Sequence, residues 1–456
     1  MSDVDPALAD AAPVPYWREQ HGLGPVSEAL SRPTEADLVV VGGGLTGLWT
    51  AIVAKRRDPH ADVLLLESEH VGFGASGRNG GFVSDSLTHG VAHGLAMWPD
   101  QLDELLAAGR TNLTQMAADL GSAGIEADLR LSGKTVVALS AHQARRLPWI
   151  VRQLRDHGEQ ADLLDASAVR ADIASPTYLG GVRVRTGGGL VDPVALSCGL
   201  RDWALRLGVR LHESTPVSAV SPGALETPAG QVRAARIALA TNAFPSPRRR
   251  LRRYVVPVYD HVLATEPLSS SQWASLGWPE RQGVTDLGNQ FHYYRPTPDG
   301  RILFGGYDAI YYFGAGVTAA REQRDKSHRL LARHFFQTFP QLDGVRFTHR
   351  WAGLIDTTSR FTPYVGLDRS GTIGHALGFT GLGVAYSRYA ATALVDLFDG
   401  VRAPSFLTRA PVPFPAEPVR FVAIQATRAA LAREDRTGRR GSWLRLLDRF
   451  GVGFNS

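Results

Sequence analysis

Cysteine is nearly absent: Cys198 is the only one in a chain of 456 residues. A lone thiol excludes an internal disulfide, a thiolate zinc cage and a cysteine-held iron–sulfur cluster. It fits a reducing compartment, so the expected location is the cytoplasm. Cys198 falls in a helix-like stretch, residues 194–207, where a buried and inert thiol is expected. No apolar run reaches the roughly 18 residues that a membrane-spanning helix needs. The N-terminal residues 1–15 are acidic and rich in Ala and Pro, without the basic flank or apolar run of a signal peptide. An excess of one charge sign is small too. The net charge is +5, much of it in residues 248–253 and 433–449, and reads as solvated basic faces with no case for nucleic acid. The histidines show no metal-ligand spacing such as HExxH and no GxSxG elbow occurs, so neither a metal site nor a serine nucleophile is expected.

What is present is an ordinary globular composition, 44% apolar and 20% charged, at a length that suits two domains. Glycine is abundant, with 48 residues, which allows many tight turns or close approaches to a ligand. Residues 37–41 form a short Val-rich run. A glycine turn follows at 42–47, then helical spacing over 48–55, then a second apolar run at 63–66 that ends on Glu67. Strand, turn, helix and strand within about 30 residues make a minimal parallel βαβ unit. Helices are predicted at 100–120, 193–207, 327–339 and 385–398, the second opened by Pro193 and stopped by Gly208. Strands are predicted at 209–220, 231–240, 289–295, 301–306, 350–355 and 372–376. The tail, 417–456, holds two helical stretches joined at 436–442. Its apolar residues Trp443, Leu444, Leu446, Leu447 and Phe450 are expected to pack on the chain's own core rather than on a membrane. No repeat of fixed period is evident.

The strongest motif is Gly42-Gly43-Gly44-Leu45-Thr46-Gly47, a GxGxxG that follows a strand and opens a helix. Glu67 lies twenty residues beyond Gly47, the usual place for the acid that binds a ribose. Gly42 permits the turn, Gly44 lets the backbone approach a pyrophosphate, and Gly47 lets helix and strand pack closely. The helix N-terminus carries about half a positive charge and favours phosphate. Glu67 argues against a 2′-phosphate, but the fingerprint alone leaves NAD and FAD open.

Seven segments in order decide between them: DLVVVGGGLTGLWTA, VLLLESEHVGFGASGRNGG, GGLVDPVALSCGLRDWALRLGVRLHESTPVSAV, IALATNAF, YYRPTPDGRILFGG, HRWAGLID and GFTGLGV. Together they resemble the D-amino-acid oxidase/glycine oxidase/sarcosine oxidase superfamily of FAD enzymes over residues 37–400, and most of all its gamma-glutamylputrescine oxidase-like branch. The resemblance implies a mixed α/β fold, a Rossmann-type FAD-binding domain (35–84, 186–250 and 348–402) interleaved with a mixed-sheet substrate domain (85–185 and 251–347), and a C-terminal helical tail (403–456). It implies that Ala75, Ser76, Arg78, Asn79, Gly80 and Gly81 run beside the flavin and pyrophosphate, with Arg78 and Asn79 as donors. Val217 would meet the adenine through its backbone, and Thr241 would line the cofactor channel. Gly353 would join the cofactor contacts. Gly378, Thr380, Gly381, Leu382 and Gly383 would present backbone N–H groups to the flavin pyrimidine edge. Covalent relatives use a late cysteine or a histidine in the 72–82 loop; this chain has neither, so FAD is expected to be non-covalent.

The implied chemistry is oxidation of the C–N bond of a small primary or secondary amine or amino acid. The product is an imine that hydrolyses to a carbonyl compound, with electrons passed to oxygen. Alternatives are a dehydrogenase serving a quinone or carrier protein, an NAD enzyme, and a non-catalytic FAD binder. Catalytic candidates are Arg78, His292, Tyr294 and Trp351. Tyr254, Tyr259, His261, Phe291 and Arg350 are further pocket candidates, and Arg295 and Arg360 are candidates to hold a substrate carboxylate.

Overall fold

The computed structural model describes residues 4–22 and 26–453. Residues 1–3, 23–25 and 454–456 lie outside it, including the end of the predicted tail.

Val39 and Val40, near the C-terminal end of the Thr34–Val41 strand, are completely buried. A strand covered on both faces belongs inside a parallel sheet. It pairs in parallel with Val63–Leu66 on one side and with Gly230–Leu239 on the other. The sheet runs from Tyr364–Leu367 through Ile373–Leu377, Gly230–Leu239, Thr34–Val41 and Val63–Leu66 to Arg210–His212. A hairpin of Ala219–Ser221 and Ala224–Thr227 extends it. Of the predicted 209–220 strand only Arg210–His212 and the start of Ala219–Ser221 form, with a loop between them. Helices Leu45–Arg57, Pro193–Arg206 and Gly383–Phe398 cover one face through Leu48, Trp49, Ile52, Leu196, Leu200 and Leu394.

The second sheet has eight strands, in the order Phe347–Thr357, Val256–Thr265, Ile302–Gly306, His292–Pro296, Gly283–Asp286, Lys134–Val137, Gly181–Val184, Ala161–Leu164. All of Phe347–Thr357 after its first residue falls in the segment grouped by sequence with FAD binding, yet it hydrogen-bonds along its length to Val256–Thr265. The helix Asp325–Thr338 covers one face of this sheet with Leu331 and Phe335 packed on Tyr294 and Phe304. The other face looks into a large cavity toward the first sheet. The tail forms two helices, Val419–Thr437 and Ser442–Arg449, as expected from its pattern.

Candidate active site

The glycine turn closes against its neighbours with little room to spare. Gly42 has φ +112°, and a Cβ there would lie 2.5 Å from the Ala240 carbonyl oxygen. A Cβ on Gly47 would lie 1.8 Å from the Gly42 oxygen, so helix and strand meet backbone to backbone. Ser76 Oγ accepts from Leu45 N at 2.9 Å and sits where a Gly44 Cβ would come within 2.9 Å of it. The Glu67 carboxylate accepts from Gly43 N at 2.6 Å and from Glu69 N at 2.9 Å. A carboxylate has about four acceptor positions, so ribose hydroxyls can still bind. The clearances and the donors therefore fit a dinucleotide. Val217 follows Thr215, whose N–H donates to Glu67 O at 2.7 Å. Val217 packs on the core behind the first sheet and, like Thr241, stands outside the cavity lining.

The 75–81 loop is braced from within. Asn79 Nδ2 donates to the Ala75 and Ser76 carbonyls, both at 3.0 Å, and Asn79 Oδ1 accepts from Gly81 N at 2.8 Å. The predicted ligand donor is thus a brace for the loop. Arg78 Nε donates to Phe73 O at 2.8 Å, and its guanidinium pairs with Glu322 at the end of the short helix Ala319–Glu322. The Arg78 carbonyl accepts from Trp351 Nε1 at 2.9 Å, and Gly353 lies against Arg78. Trp351 is fully buried and does not reach the cavity, so it positions the loop and is not a catalytic residue. Gly81, at φ +71°, meets the Val191 carbonyl and Arg295.

A cavity of about 1010 Å³ opens beside the glycine turn and the 75–80 loop, while Gly42, Gly44, Gly47, Glu67, Gly81 and Gly378 stand outside its lining. Its wall includes Leu45, Thr46, Ala75, Ser76, Arg78, Asn79, Gly80, Gly353, Thr380, Gly381, Leu382 and Gly383. At its floor the Asp356 carboxylate accepts from Gly378 N at 2.6 Å and Phe379 N at 3.0 Å. Burial pushes its pKa up to about 7, against the pull of those donors. This holds the turn in which Gly378, Thr380 and Gly381 all have positive φ. The turn ends at Leu382, the N-cap of the Gly383–Phe398 helix, which has no side-chain cap. Its uncapped N–H groups suit an electron-rich ring edge.

Strand parity decides the opposite wall. On Val256–Thr265, Asp260 pairs with Gly353 and both face the cavity. On His292–Pro296 the residue with the same outlook is Tyr293. Its hydroxyl donates to Asp260 Oδ2 at 2.6 Å. Its ring lies where a Cβ on Gly80 or Gly305 would be 2.5 Å away, which is why both are glycines. Burial pushes Asp260 up to about 6. His292 and Tyr294 point the other way. His292 bonds Asp286 at 2.6 Å and His334 at 2.8 Å, and Tyr294 bonds Tyr178 at 2.5 Å beneath the covering helix. They are corrected from catalytic candidates to core residues, because the strand turns alternate side chains to opposite faces. Phe291 does line the cavity. Tyr259 instead donates to the Thr318 carbonyl at 3.2 Å, Tyr254 packs on Tyr364, and His261 is buried beside His328.

Neither predicted carboxylate binder faces the cavity. Arg295 is fully buried and donates to the Gly81 and Val191 carbonyls at 3.1 and 2.7 Å. Arg360 donates to the Arg409, Pro363 and Leu407 carbonyls. Arg350 pairs with Asp325 at 2.9 Å. A separate charged group, Asp85, Lys134 and Glu159, borders the far end of the cavity, where burial pushes Asp85 up to about 7 and lowers Lys134. Burial raises the Cys198 thiol, in keeping with an inert role.

Fold and site together show a Rossmann-type sheet and a mixed sheet flanking a cavity, with a glycine turn that fits a dinucleotide. Residues 37–397 match the family model described as FAD dependent oxidoreductase, and the chain belongs to that family. It is 31% identical over 403 residues to gamma-glutamylputrescine oxidoreductase of Escherichia coli (strain K12), covering 85% of this chain and 90% of that one. It is 25% identical over 350 residues to sarcosine oxidase subunit beta of Rhizobium meliloti (strain 1021), covering 72% and 76% of the two chains. Among solved structures, glycine oxidase from Geobacillus kaustophilus superposes with a TM-score of 0.67 at 20% identity, covering 81% of this chain and 96% of that one. The protein is an FAD-dependent oxidoreductase acting on amines or amino acids. No helix among the described residues is long and apolar enough to cross a membrane.

Asp260, Tyr293 and Asp356 were not singled out from sequence. Parity along the His292–Pro296 strand carried the signal for Tyr293, but which parity faced the cavity was not readable from one strand.

Proposed function

We propose that the chain oxidises the C–N bond of a small primary or secondary amine to an imine, which water then hydrolyses to a carbonyl compound, with oxygen as the final acceptor. The observation that carries this reading is the Asp260–Tyr293 pair on the cavity face of the mixed sheet, within hydrogen-bond distance at 2.6 Å. A carboxylate there attracts an ammonium group and repels a substrate carboxylate. The two arginines that sequence offered for a carboxylate are spent on backbone carbonyls. This favours an amine over an α-amino acid. Bound FAD supplies the two-electron acceptance. Asp260 draws the protonated amine into a desolvated cavity, which lowers the amine's pKa, and takes the proton at Oδ1. Tyr293 holds Oδ2, so the carboxylate keeps one orientation. Retention of FAD without a covalent bond is part of the same reading. It rests on the fit of the glycine turn and on Cys198 lying in a helix away from the cavity lining.

The test is a visible spectrum recorded without oxygen while amines and amino acids are added one at a time. Bleaching of the flavin by amines and not by α-amino acids is expected, followed by rapid recovery when oxygen is admitted. Bleaching by amino acids alone would overturn the choice of substrate. Slow recovery in oxygen but fast recovery with a quinone would replace oxygen as acceptor.

A further inference from the structure

The family match ends at residue 397, yet the cavity wall continues into the tail beyond it. The helices Val419–Thr437 and Ser442–Arg449 fold back on each other, with Trp443 Nε1 donating to Thr427 Oγ1 at 3.0 Å. The hairpin is pinned at both ends. Asp435 accepts from Asn289 N at 2.8 Å and Gln290 N at 2.9 Å, and Arg428 pairs with Asp308 at 3.0 Å. On the other side Gly453 N donates to the Ser359 carbonyl at 3.2 Å. The strap therefore runs from the mixed sheet to the flavin-side loops and closes one side of the cavity.

No residue of the longer helix is buried, but Ile424 and Leu431 on its inner side face the cavity, as do Leu444 and Leu447 of the shorter one. Leu444 is already buried, whereas Ile424, Leu431 and Leu447 are only half-buried and gain further burial when an apolar group fills the cavity. We propose that Ile424, Leu431, Leu444 and Leu447 form a specificity-determining wall for the apolar part of the substrate, so that the preferred amine carries an aliphatic chain or ring. This rests on the amine reading given above. Buried methylenes against such a wall raise affinity by about fourfold each.

The experiment uses the full-length, FAD-loaded protein with n-alkylamines from propylamine to octylamine, titrated without oxygen. Perturbation of the flavin spectrum reads binding, and bleaching reads oxidation. Affinity in the unaltered protein climbs with chain length. Leu431→Ala lowers octylamine affinity on the order of tenfold and propylamine affinity much less. Leu431→Phe moves the best chain length downward. Leu447→Ala, from the other helix, repeats the first pattern, and flavin content per protein checks folding. Affinity flat across the series, or an equal loss for every amine, overturns the wall. So does loss of FAD with unchanged selectivity, since the wall would then face the cofactor. Graded affinity without bleaching would overturn the oxidation reading and leave the wall standing.

Discussion

Asp260 shows how much one side chain's environment decides. Its carboxyl is pushed up to about 6 by burial, while Tyr293 steadies the charged form. An unfolded Asp titrates at about 3.9. The folded state therefore holds this proton more tightly, and the group's share of stability falls as pH rises from about 4 to about 6. Asp260→Asn should flatten that slope in melting temperatures measured across the range. Activity should run the other way. Anaerobic flavin reduction should rise through pH 6 in the unaltered protein as the carboxylate forms. Asp260→Asn should lose this limb and fall on the order of 10²-fold or more. An unchanged profile would remove Asp260 from the mechanism. Sequence points to His292 and Tyr294 rather than Tyr293, because residue type is visible in sequence and the direction of a strand's faces is not. Both neighbours are well satisfied where they are, His292 by Asp286 and Tyr294 by Tyr178.

At the level of elements, the two glycine turns differ in how they are held. The 42–47 turn is fixed by contact, backbone against backbone. Gly44→Ala should push Ser76 Oγ, 2.9 Å away, into the space of a pyrophosphate. The expected result is a folded protein that purifies largely without FAD. Glu67→Ala should weaken FAD by about 1.5–3 kcal/mol, measured by titration of the apoprotein. The 378–383 turn is held instead from another strand, by the Asp356 carboxylate on Gly378 N and Phe379 N. Asp356→Ala strands both donors at a cost of about 1–3 kcal/mol each, and thermal melting should show it. A melting temperature within a degree of the original would mean that water or a shift of the turn replaces the carboxylate. The first turn was legible from its motif. The second was legible as glycine-rich, but its anchor was not, since Asp356 lies more than twenty residues earlier and on the other sheet's edge strand.

At the scale of the whole molecule, the two large sheets among the described residues flank a cavity, with a strap across one side. A cofactor bound across both sheets stabilises the folded state alone. FAD at about 100 times its dissociation constant should add roughly 2.7 kcal/mol, seen as a melting temperature that rises with FAD concentration. A melting temperature indifferent to FAD would argue against the cradle. From sequence alone came the parallel βαβ unit, the dinucleotide fingerprint, the family and the redox class. The first two rest on local patterns, namely hydrophobic period, glycine spacing and an acid at a fixed offset, whereas the family and the redox class rest on the resemblance of seven ordered segments to a known superfamily. Tertiary structure alone decided which face of each strand looks inward, that Arg295 and Arg360 serve carbonyls, that Asp260 meets Tyr293, and that the tail walls the cavity. Those outcomes depend on the register between strands far apart in the chain and on which groups remain unsatisfied once the backbone is packed, and no local stretch of sequence carries that information.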